Sequence, residues 1–163
     1  MSRISILDAT PAGLACKEPE DDEAGLFRAW MYKELFAGNL VVIPEIADYE
    51  VRRSLILNGA SKFIQRLDEL YIWSKDIPSI TYLPINARSM RIAAELWAQA
   101  RREHRPTADD KALDGDVILA AQSQEFCRDS DDWQILTANV AHITRYVGDR
   151  ARLYWAVVNE WRR

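Results

Sequence analysis

The stretch Ile4-Ser5-Ile6-Leu7-Asp8 is a short, β-branched run that ends on an acid, and this pattern predicts a buried first strand. Apolar runs at Leu40–Ile43, Ile80–Pro84 and Gln134–Thr137 predict three more strands, and the tail from Arg152 to Val158 predicts a fifth. Stretches in which the apolar residues have helical spacing separate these strands. Strands that alternate with helices are typical of a parallel sheet covered on both faces. We therefore expect a three-layer α/β/α fold with about four to five parallel strands.

The predicted helices begin and end at recognisable signals. The segment from Leu26 to Phe36 has helical spacing and is closed by Gly38-Asn39, and Pro44 fits the first turn of a helix that continues to Asn58-Gly59. Further helices are predicted over 62–73, over 86–104 and from Asp116 onward. The segment Ala9–Pro19 contains two prolines and a glycine, and it therefore predicts a loop.

The composition is that of an ordinary folded protein. The chain has 163 residues, of which 48% are hydrophobic and 28% charged, so we expect a single domain over residues 1–163. Its apolar runs are much shorter than the roughly 20 residues that cross a membrane, and the N-terminus does not have the pattern of a signal peptide. A cytoplasmic protein without membrane attachment is therefore expected. The formal net charge of -4 argues against nucleic-acid binding through a broad basic surface.

Acids that interrupt the apolar pattern are the main functional signal. Ligands of open parallel sheets bind beyond the carboxyl ends of the strands. Asp8 directly follows the first strand, where a carboxylate needs a partner or a cation to offset its desolvation, although a helix cap or a loop start explains it equally well. Glu50 follows Ile46 by four residues and Ala47 by three, which places it on the face toward the sheet. An ion pair with Arg53 is the alternative role for Glu50.

Three more polar groups lie in the second half of the chain. Asp114 and Asp116 bracket Gly115 ahead of an apolar helix: Asp114 suits an N-cap, whereas the turn that carries Asp116 is expected to point inward. Asn139 follows the fourth strand and is either a turn former or an oxygen ligand. Carboxylates crowded at one sheet edge repel one another, so a hard cation such as Mg²⁺ or Mn²⁺ is the simplest way to stabilise them. The two cysteines and two histidines are too dispersed for a disulfide framework or a zinc site.

The order of these segments resembles that of a known family. Ile6-Leu7-Asp8, Ile43-Pro44-Glu45-Ile46-Ala47-Asp48-Tyr49-Glu50, Asp116-Val117-Ile118-Leu119-Ala120-Ala121 and Leu136-Thr137-Ala138-Asn139-Val140-Ala141-His142 follow one another as in the PIN-domain nucleases. Within these, the chain is most similar to the VapC-type toxins of bacterial toxin–antitoxin pairs, from Asp8 to Trp155. The resemblance implies a PIN-like, Rossmann-like fold and a metal-dependent endoribonuclease that leaves a 5′-phosphate. It also implies a homodimer and a small cognate antitoxin.

Carried over position by position, the resemblance assigns roles to individual residues. The implied metal ligands are Asp8, Glu50, Asp114, Asp116 and Asn139. Asp8, Glu50 and Asp116 are the implied catalytic acids, and Asn139 stands where the family has Asp or Asn. Thr137 resembles the hydroxyl residue that supports this fourth position. The first motif reads Asp8-Ala9-Thr10, where the family more often has a hydroxyl residue and then Asn, so Thr10 is a substitute.

The candidates for binding the RNA backbone are Arg52, Arg101, Arg105 and Lys111. For each of these cations, ordinary solvated surface charge is the alternative explanation. Because Asn139 is neutral, the resemblance leaves open whether one metal ion or two are bound.

Other functions stay open at the level of sequence. A PIN nuclease of RNA maturation has the same motifs as a toxin, and a PIN-like binding module has the fold without the activity. A receiver-type signalling domain also gathers acids and Mg²⁺ at strand ends. Such a domain needs an Asp at the end of its third strand, however, and here that strand is followed by Leu83-Pro84-Ile85.

Overall fold

The computed structural model describes residues 2–17, 22–109, 113–128 and 131–162. The strands are β1 (Ile4–Leu7), β2 (Leu40–Pro44), β3 (Ile80–Leu83), β4 (Trp133–Thr137) and β5 (Ala151–Leu153). The helices are α1 (Ala9–Cys16), α2 (Asp22–Phe36), α3 (Glu45–Leu57), α4 (Ser61–Asp76), α5 (Ala87–Arg102), α6 (Gly115–Phe126), α7 (Val140–Val147) and α8 (Tyr154–Trp161). None of the helices in these ranges is long and apolar enough to cross a membrane.

The strands form one parallel sheet in the order β3-β2-β1-β4-β5. In the central strand, Ile4 pairs with Leu40 on one side and with Trp133 on the other. The chain moves outward from β1 to β3 and then returns to the opposite side of β1 at β4. Open α/β sheets bind their ligands beyond the carboxyl ends of the strands at such a reversal. The order also differs from the 2-1-3-4-5 order of receiver-type domains, which removes the signalling alternative.

Helices cover both faces of the sheet, as the alternating pattern predicts. Leu7 and Leu136 belong to a core that includes buried residues of α1, α2 and α8. Their neighbours Ile6 and Ile135 point to the other face, into a core shared with α5, α6 and α7. The expected three-layer α/β/α fold with a parallel sheet is therefore confirmed.

The prediction of a loop over Ala9–Pro19 was wrong, because residues 9–16 form α1. Asp8 caps this helix, with Oδ1 accepting a hydrogen bond of 2.7 Å from Ala9 N. Pro11 lies in the first turn, where the N–H that proline lacks has no partner in the helix. Gly13 faces α3, where even a β-carbon on it would make only an ordinary 3.8 Å contact with Cγ2 of Val51. Residues 18 and 19 of the predicted loop lie outside the described residues.

The C-terminal part also differs from the expectation. The fifth strand is confirmed, but it covers only Ala151–Leu153, and the rest of the predicted strand forms α8. Tyr154, Val157 and Val158 are buried on one face of that helix, and this spacing outweighs the strand propensity of the apolar run. No helix was predicted after Asn139, whereas α7 follows it directly.

A candidate acidic metal centre at the sheet edge

Asp8 and Thr137 connect the ends of the two central strands. The buried Thr137 donates a hydrogen bond of 2.6 Å from Oγ1 to Oδ2 of Asp8. The same hydroxyl oxygen accepts a hydrogen bond of 2.8 Å from Asn139 N, and Asp8 N donates to Leu136 O at 3.0 Å. These bonds fix the Asp8 carboxylate at the reversal of strand order, where a ligand is expected.

Glu50 reaches from α3 to the first residue of α6. A β-carbon placed on Gly115 would lie only 2.4 Å from Oε1 of Glu50, so a glycine is needed for this approach. Nη2 of Arg53 lies 3.6 Å from the same oxygen. The ion pair with Arg53, the alternative role for Glu50, is therefore present, but the contact is long and half-exposed. Burial raises the pKa of Glu50, the charge of Asp8 raises it further, and Arg53 partly opposes both. Glu50 is therefore close enough to Asp8, which follows β1, and to Asp114 and Asp116, at the start of α6, for their negative charges to raise its pKa.

Asp116 belongs to the first turn of α6 and is held by a residue that the sequence analysis did not assign. Nδ1 of His142, on α7, lies at a hydrogen-bond distance of 3.1 Å from Oδ2 of Asp116. Burial raises the pKa of Asp116, the His142 hydrogen bond lowers it, and Asp8 raises it again. His142 lies in the fourth motif, three residues after Asn139, but its contact depends on a helix that was not predicted.

Asp114 is buried and serves mainly to hold the structure together. Its Oδ1 caps α6 by accepting from Val117 N at 3.3 Å, and its two oxygens accept from Thr107 Oγ1 at 2.9 and 2.8 Å. The Thr107 hydroxyl also contacts the Tyr146 hydroxyl at 2.7 Å. Asp114 therefore has the capping role that the sequence favoured, while its charge still adds to that of Glu50 and Asp116.

The two remaining predicted residues lie at the borders of this centre. Asn139 precedes α7, and its side chain makes no capping hydrogen bond there. Thr10 is exposed on the first turn of α1. It lines a mostly apolar groove of about 530 Å³ between α1, α3 and α4 that also includes Glu50 and Phe63.

The donor set suits a divalent cation in its chemistry. Carboxylate oxygens are the ligands that Mg²⁺ and Mn²⁺ prefer, and burial together with the charge of Asp8 raises the pKa values of Glu50 and Asp116. As their side chains stand, no three acidic, histidine or cysteine residues in the described ranges are arranged to hold one ion. Close coordination by Asp8, Glu50 and Asp116 therefore requires rotation of their side chains.

The predicted RNA-binding cations differ in the contacts they make with other groups of the protein. Arg52 donates to both oxygens of the buried Asp48, at 2.7 and 3.0 Å, and lies 2.8 Å from Asp68, so it forms a structural ion pair. Arg101 stacks on Trp97 at 4.3 Å and donates to Ala108 O at 2.9 Å. Arg105 is exposed, and Lys111 lies outside the described residues.

Two solved structures share the whole architecture. A chain of VapBC2 from Rickettsia felis, bound to a DNA fragment from the promoter, matches with a TM-score of 0.61 and 13% identity, over 91% of this chain and 97% of that one. A chain of DNA-bound VapBC from Salmonella typhimurium matches with a TM-score of 0.58 and 16% identity, over 94% and 99%. No protein-family model and no curated protein sequence matches. At these identities the similarity establishes a common fold.

Proposed function

We propose that this protein is a divalent-metal-dependent endoribonuclease and the toxin of a toxin–antitoxin pair. The observation that carries the proposal is that Asp8, where the strand order of the sheet reverses, lies near enough to Glu50 and Asp116 for its charge to raise the pKa of each. Such a concentration of negative charge repels a phosphodiester unless a cation is bound, and Mg²⁺ or Mn²⁺ fits this oxygen donor set. The fold shared with VapBC structures supports the same function.

The acidic side chains have different proposed roles in RNA hydrolysis. A bound divalent ion supplies positive charge for the phosphate and lowers the pKa of a water molecule. Asp8 and Asp116 are the proposed ligands, and hydrogen bonds of 2.6 Å from Thr137 to Asp8 and 3.1 Å between His142 and Asp116 hold one oxygen of each carboxylate near the centre. Glu50, whose pKa is raised, is suited to accept a proton from the attacking water. Attack at phosphorus with loss of the 3′ oxygen leaves the 5′-phosphate that the family resemblance implies.

The proposed partner is a small antitoxin protein, and the proposed assembly is a homodimer. Both related folds were solved as VapBC complexes on DNA. The groove beside Glu50 has an apolar wall that includes Val51, Leu55 and Phe63, which suits a hydrophobic segment of such a partner. Ile56 and Leu57 are 62% and 86% exposed near the end of α3, and exposed apolar side chains of this size favour a protein interface.

Cleavage of a structured RNA in Mn²⁺ and in Mg²⁺ tests the activity. We expect wild-type protein to cleave only with a divalent ion, and Asp8→Asn and Asp116→Asn to lose at least about 100-fold in rate while remaining folded. Asp76→Asn is the matched control, because it removes one exposed acid at the end of α4. Equal rates in all four proteins would overturn the proposal. Absence of both cleavage and metal-dependent stabilisation in the wild type would instead identify a binding module.

Growth measurements separate a toxin from a nuclease of RNA maturation. Induced expression of the wild-type chain is expected to arrest bacterial growth, whereas expression of Asp116→Asn is not. Co-expression of a short neighbouring gene that encodes a DNA-binding protein is expected to restore growth. Normal growth with full cleavage activity in the lysate would contradict the toxin role but not the nuclease activity.

A further inference from the structure

Exposed basic side chains surround the turn that follows α5. Arg102, His104, Arg105 and Arg145 are all exposed. His104, Arg105, Pro106 and Arg145 line an open groove of about 450 Å³. A second, smaller pocket adjoins the groove and shares Arg105 and Arg145 with it. Its acidic residue is Glu103, whose carboxylate accepts a hydrogen bond of 2.9 Å from Gln99. The sequence analysis named only Arg105 from this groove.

Backbone contacts give the groove a defined shape. His104 has a φ of 56°, which is uncommon for a residue with a side chain, and Arg105 N donates to Ala100 O at 2.7 Å. Arg145 crosses from α7 and donates from Nη1 to the carbonyl oxygens of Arg105 and Pro106, both at 3.2 Å. The turn is therefore held against α7 by a guanidinium group that is itself exposed to solvent.

Helix α7 and the turn after α5 link the groove to the acidic centre. Arg145 follows His142 by three residues on α7, so their β-carbons are about 5–6 Å apart on one helix face. His142 holds Asp116 at 3.1 Å. From the same turn as Arg105, Thr107 contacts Asp114 at 2.8 Å and Tyr146 at 2.7 Å. The basic side chains thus begin about one helical turn from His142, the residue that contacts the proposed metal ligand Asp116.

We propose that His104, Arg105 and Arg145 form a phosphate-binding subsite for the RNA strand, next to the bond that is cleaved. This inference rests on the proposed nuclease function. A chain with a net charge of -4 has no broad basic field, so its attraction for a polyanion must be local. Guanidinium groups suit phosphate oxygens, and neutralising each phosphate releases counterions from the strand.

RNA binding as a function of salt tests the subsite. A single-stranded RNA oligonucleotide is titrated with wild-type protein and with the double variant Arg105→Gln/Arg145→Gln, without divalent ions, so that no cleavage occurs. We expect weaker binding, and a slope of log affinity against log salt that is less steep by about 0.7 for each lost phosphate contact. The double variant Arg88→Gln/Arg91→Gln removes the same charge from the opposite end of α5 and is expected to keep the wild-type slope.

Further variants separate charge from structure. Arg145→Lys keeps the charge and is expected to keep the slope. Arg105→Gln alone tests the site without removing the contacts from Arg145 to the backbone. An unchanged slope in the Arg105 and Arg145 variants, together with normal cleavage by the wild type, would overturn the subsite but leave the nuclease function intact. Normal RNA binding with lost antitoxin affinity would also overturn it, because the groove would then bind protein.

Discussion

The carboxylate of Glu50 occupies the space that a side chain on Gly115 would need, because a β-carbon there would lie 2.4 Å from Oε1 and 3.0 Å from Cδ. The backbone of Gly115 begins α6 without a positive φ, so its conformation does not require glycine. What requires glycine is the approach of an acid from α3. The position of one proposed catalytic residue therefore depends on the absence of an atom in another helix.

Gly115→Ala is expected to lower the rate of RNA cleavage by about 10- to 100-fold, since the added methyl group displaces the Glu50 carboxylate. The end of a flexible side chain moves easily, and alanine suits a helix, so the free energy of unfolding is expected to change by less than about 1 kcal/mol. Cleavage assays and denaturant unfolding measure the two effects. Gly13→Ala is the control, because its β-carbon meets Val51 at an ordinary 3.8 Å. Wild-type cleavage by Gly115→Ala would show that Glu50 need not lie there.

His142→Ala is expected to move the acidic limb of the pH–rate profile to higher pH. The His142 hydrogen bond lowers the pKa of Asp116, so its loss raises that pKa and leaves less carboxylate at a given pH. The profile of kcat/KM against pH measures the shift. His142→Gln retains a hydrogen-bond donor and is expected to restore part of the wild-type profile. An unchanged acidic limb in His142→Ala would contradict the contact with Asp116.

Glu50→Gln is expected to raise the Tm near neutral pH. Burial and Asp8 raise the pKa of Glu50 above its ordinary value of 4.5, so the folded protein binds this proton more tightly than the unfolded chain does. The free energy of unfolding therefore falls as pH rises above that value through the pKa of the folded protein, and the glutamine removes this loss. Thermal unfolding across this range should show the gain disappear in acid. A lower Tm than wild type at pH 7 would mean that the Arg53 contact outweighs the repulsion.

Thermal unfolding with added Mn²⁺ measures metal binding without any RNA. A ligand at 100 times its Kd stabilises the folded state by about 2.7 kcal/mol, so wild-type protein is expected to show a higher Tm in Mn²⁺. Asp8→Asn and Asp116→Asn should lose most of this increase, whereas Asp76→Asn should keep it. Equal stabilisation of all these proteins would place the ion elsewhere on the surface.

Arg52→Met is expected to lower stability and to leave the salt dependence of RNA binding unchanged. Asp48 is only 5% exposed, and without the guanidinium group its carboxylate stays buried and unpaired, at a cost of about 1–3 kcal/mol. Urea unfolding and RNA titration measure the two properties. Arg53→Met serves as the comparison, since Arg53 is 56% exposed and its loss should change stability by about 0.5 kcal/mol or less. A less steep slope of log affinity against log salt in Arg52→Met would instead indicate that Arg52 contacts an RNA phosphate.

The sequence predicted the features that depend on local pattern. Buried β-branched runs located four strands to within a residue or two, and acids that interrupt the apolar pattern made Asp8, Glu50 and Asp116 candidate site residues. Asp114 was recognised as an N-cap, and Asn139 as the position where the fourth strand turns. The roles of these residues in metal binding stay predictions.

The missed features depend on contacts between distant segments. Helix α1 contains Pro11 and Gly13, which locally favour a loop, and it is stabilised by the Asp8 cap and by packing on α3. His142 touches Asp116 across 26 residues, and Arg145 acquires its role from the turn after α5, 39 and 40 residues away. Arg52 was predicted to bind RNA, but it pairs with Asp48 one turn earlier on α3, a spacing visible in the sequence, and with Asp68 once α4 packs against α3.

The hydrogen bond between Thr137 and Asp8 spans 129 residues, and β1 pairs with β4 over a similar separation. During synthesis, a chain that ends before residue 137 has neither the bond nor the fourth strand, so its acids are not yet arranged around the sheet edge. Non-local pairing of this kind also slows folding, since a long segment must be ordered first. The candidate centre can therefore assemble only after the segment that carries the fourth strand has been made, however early its first acid is in place.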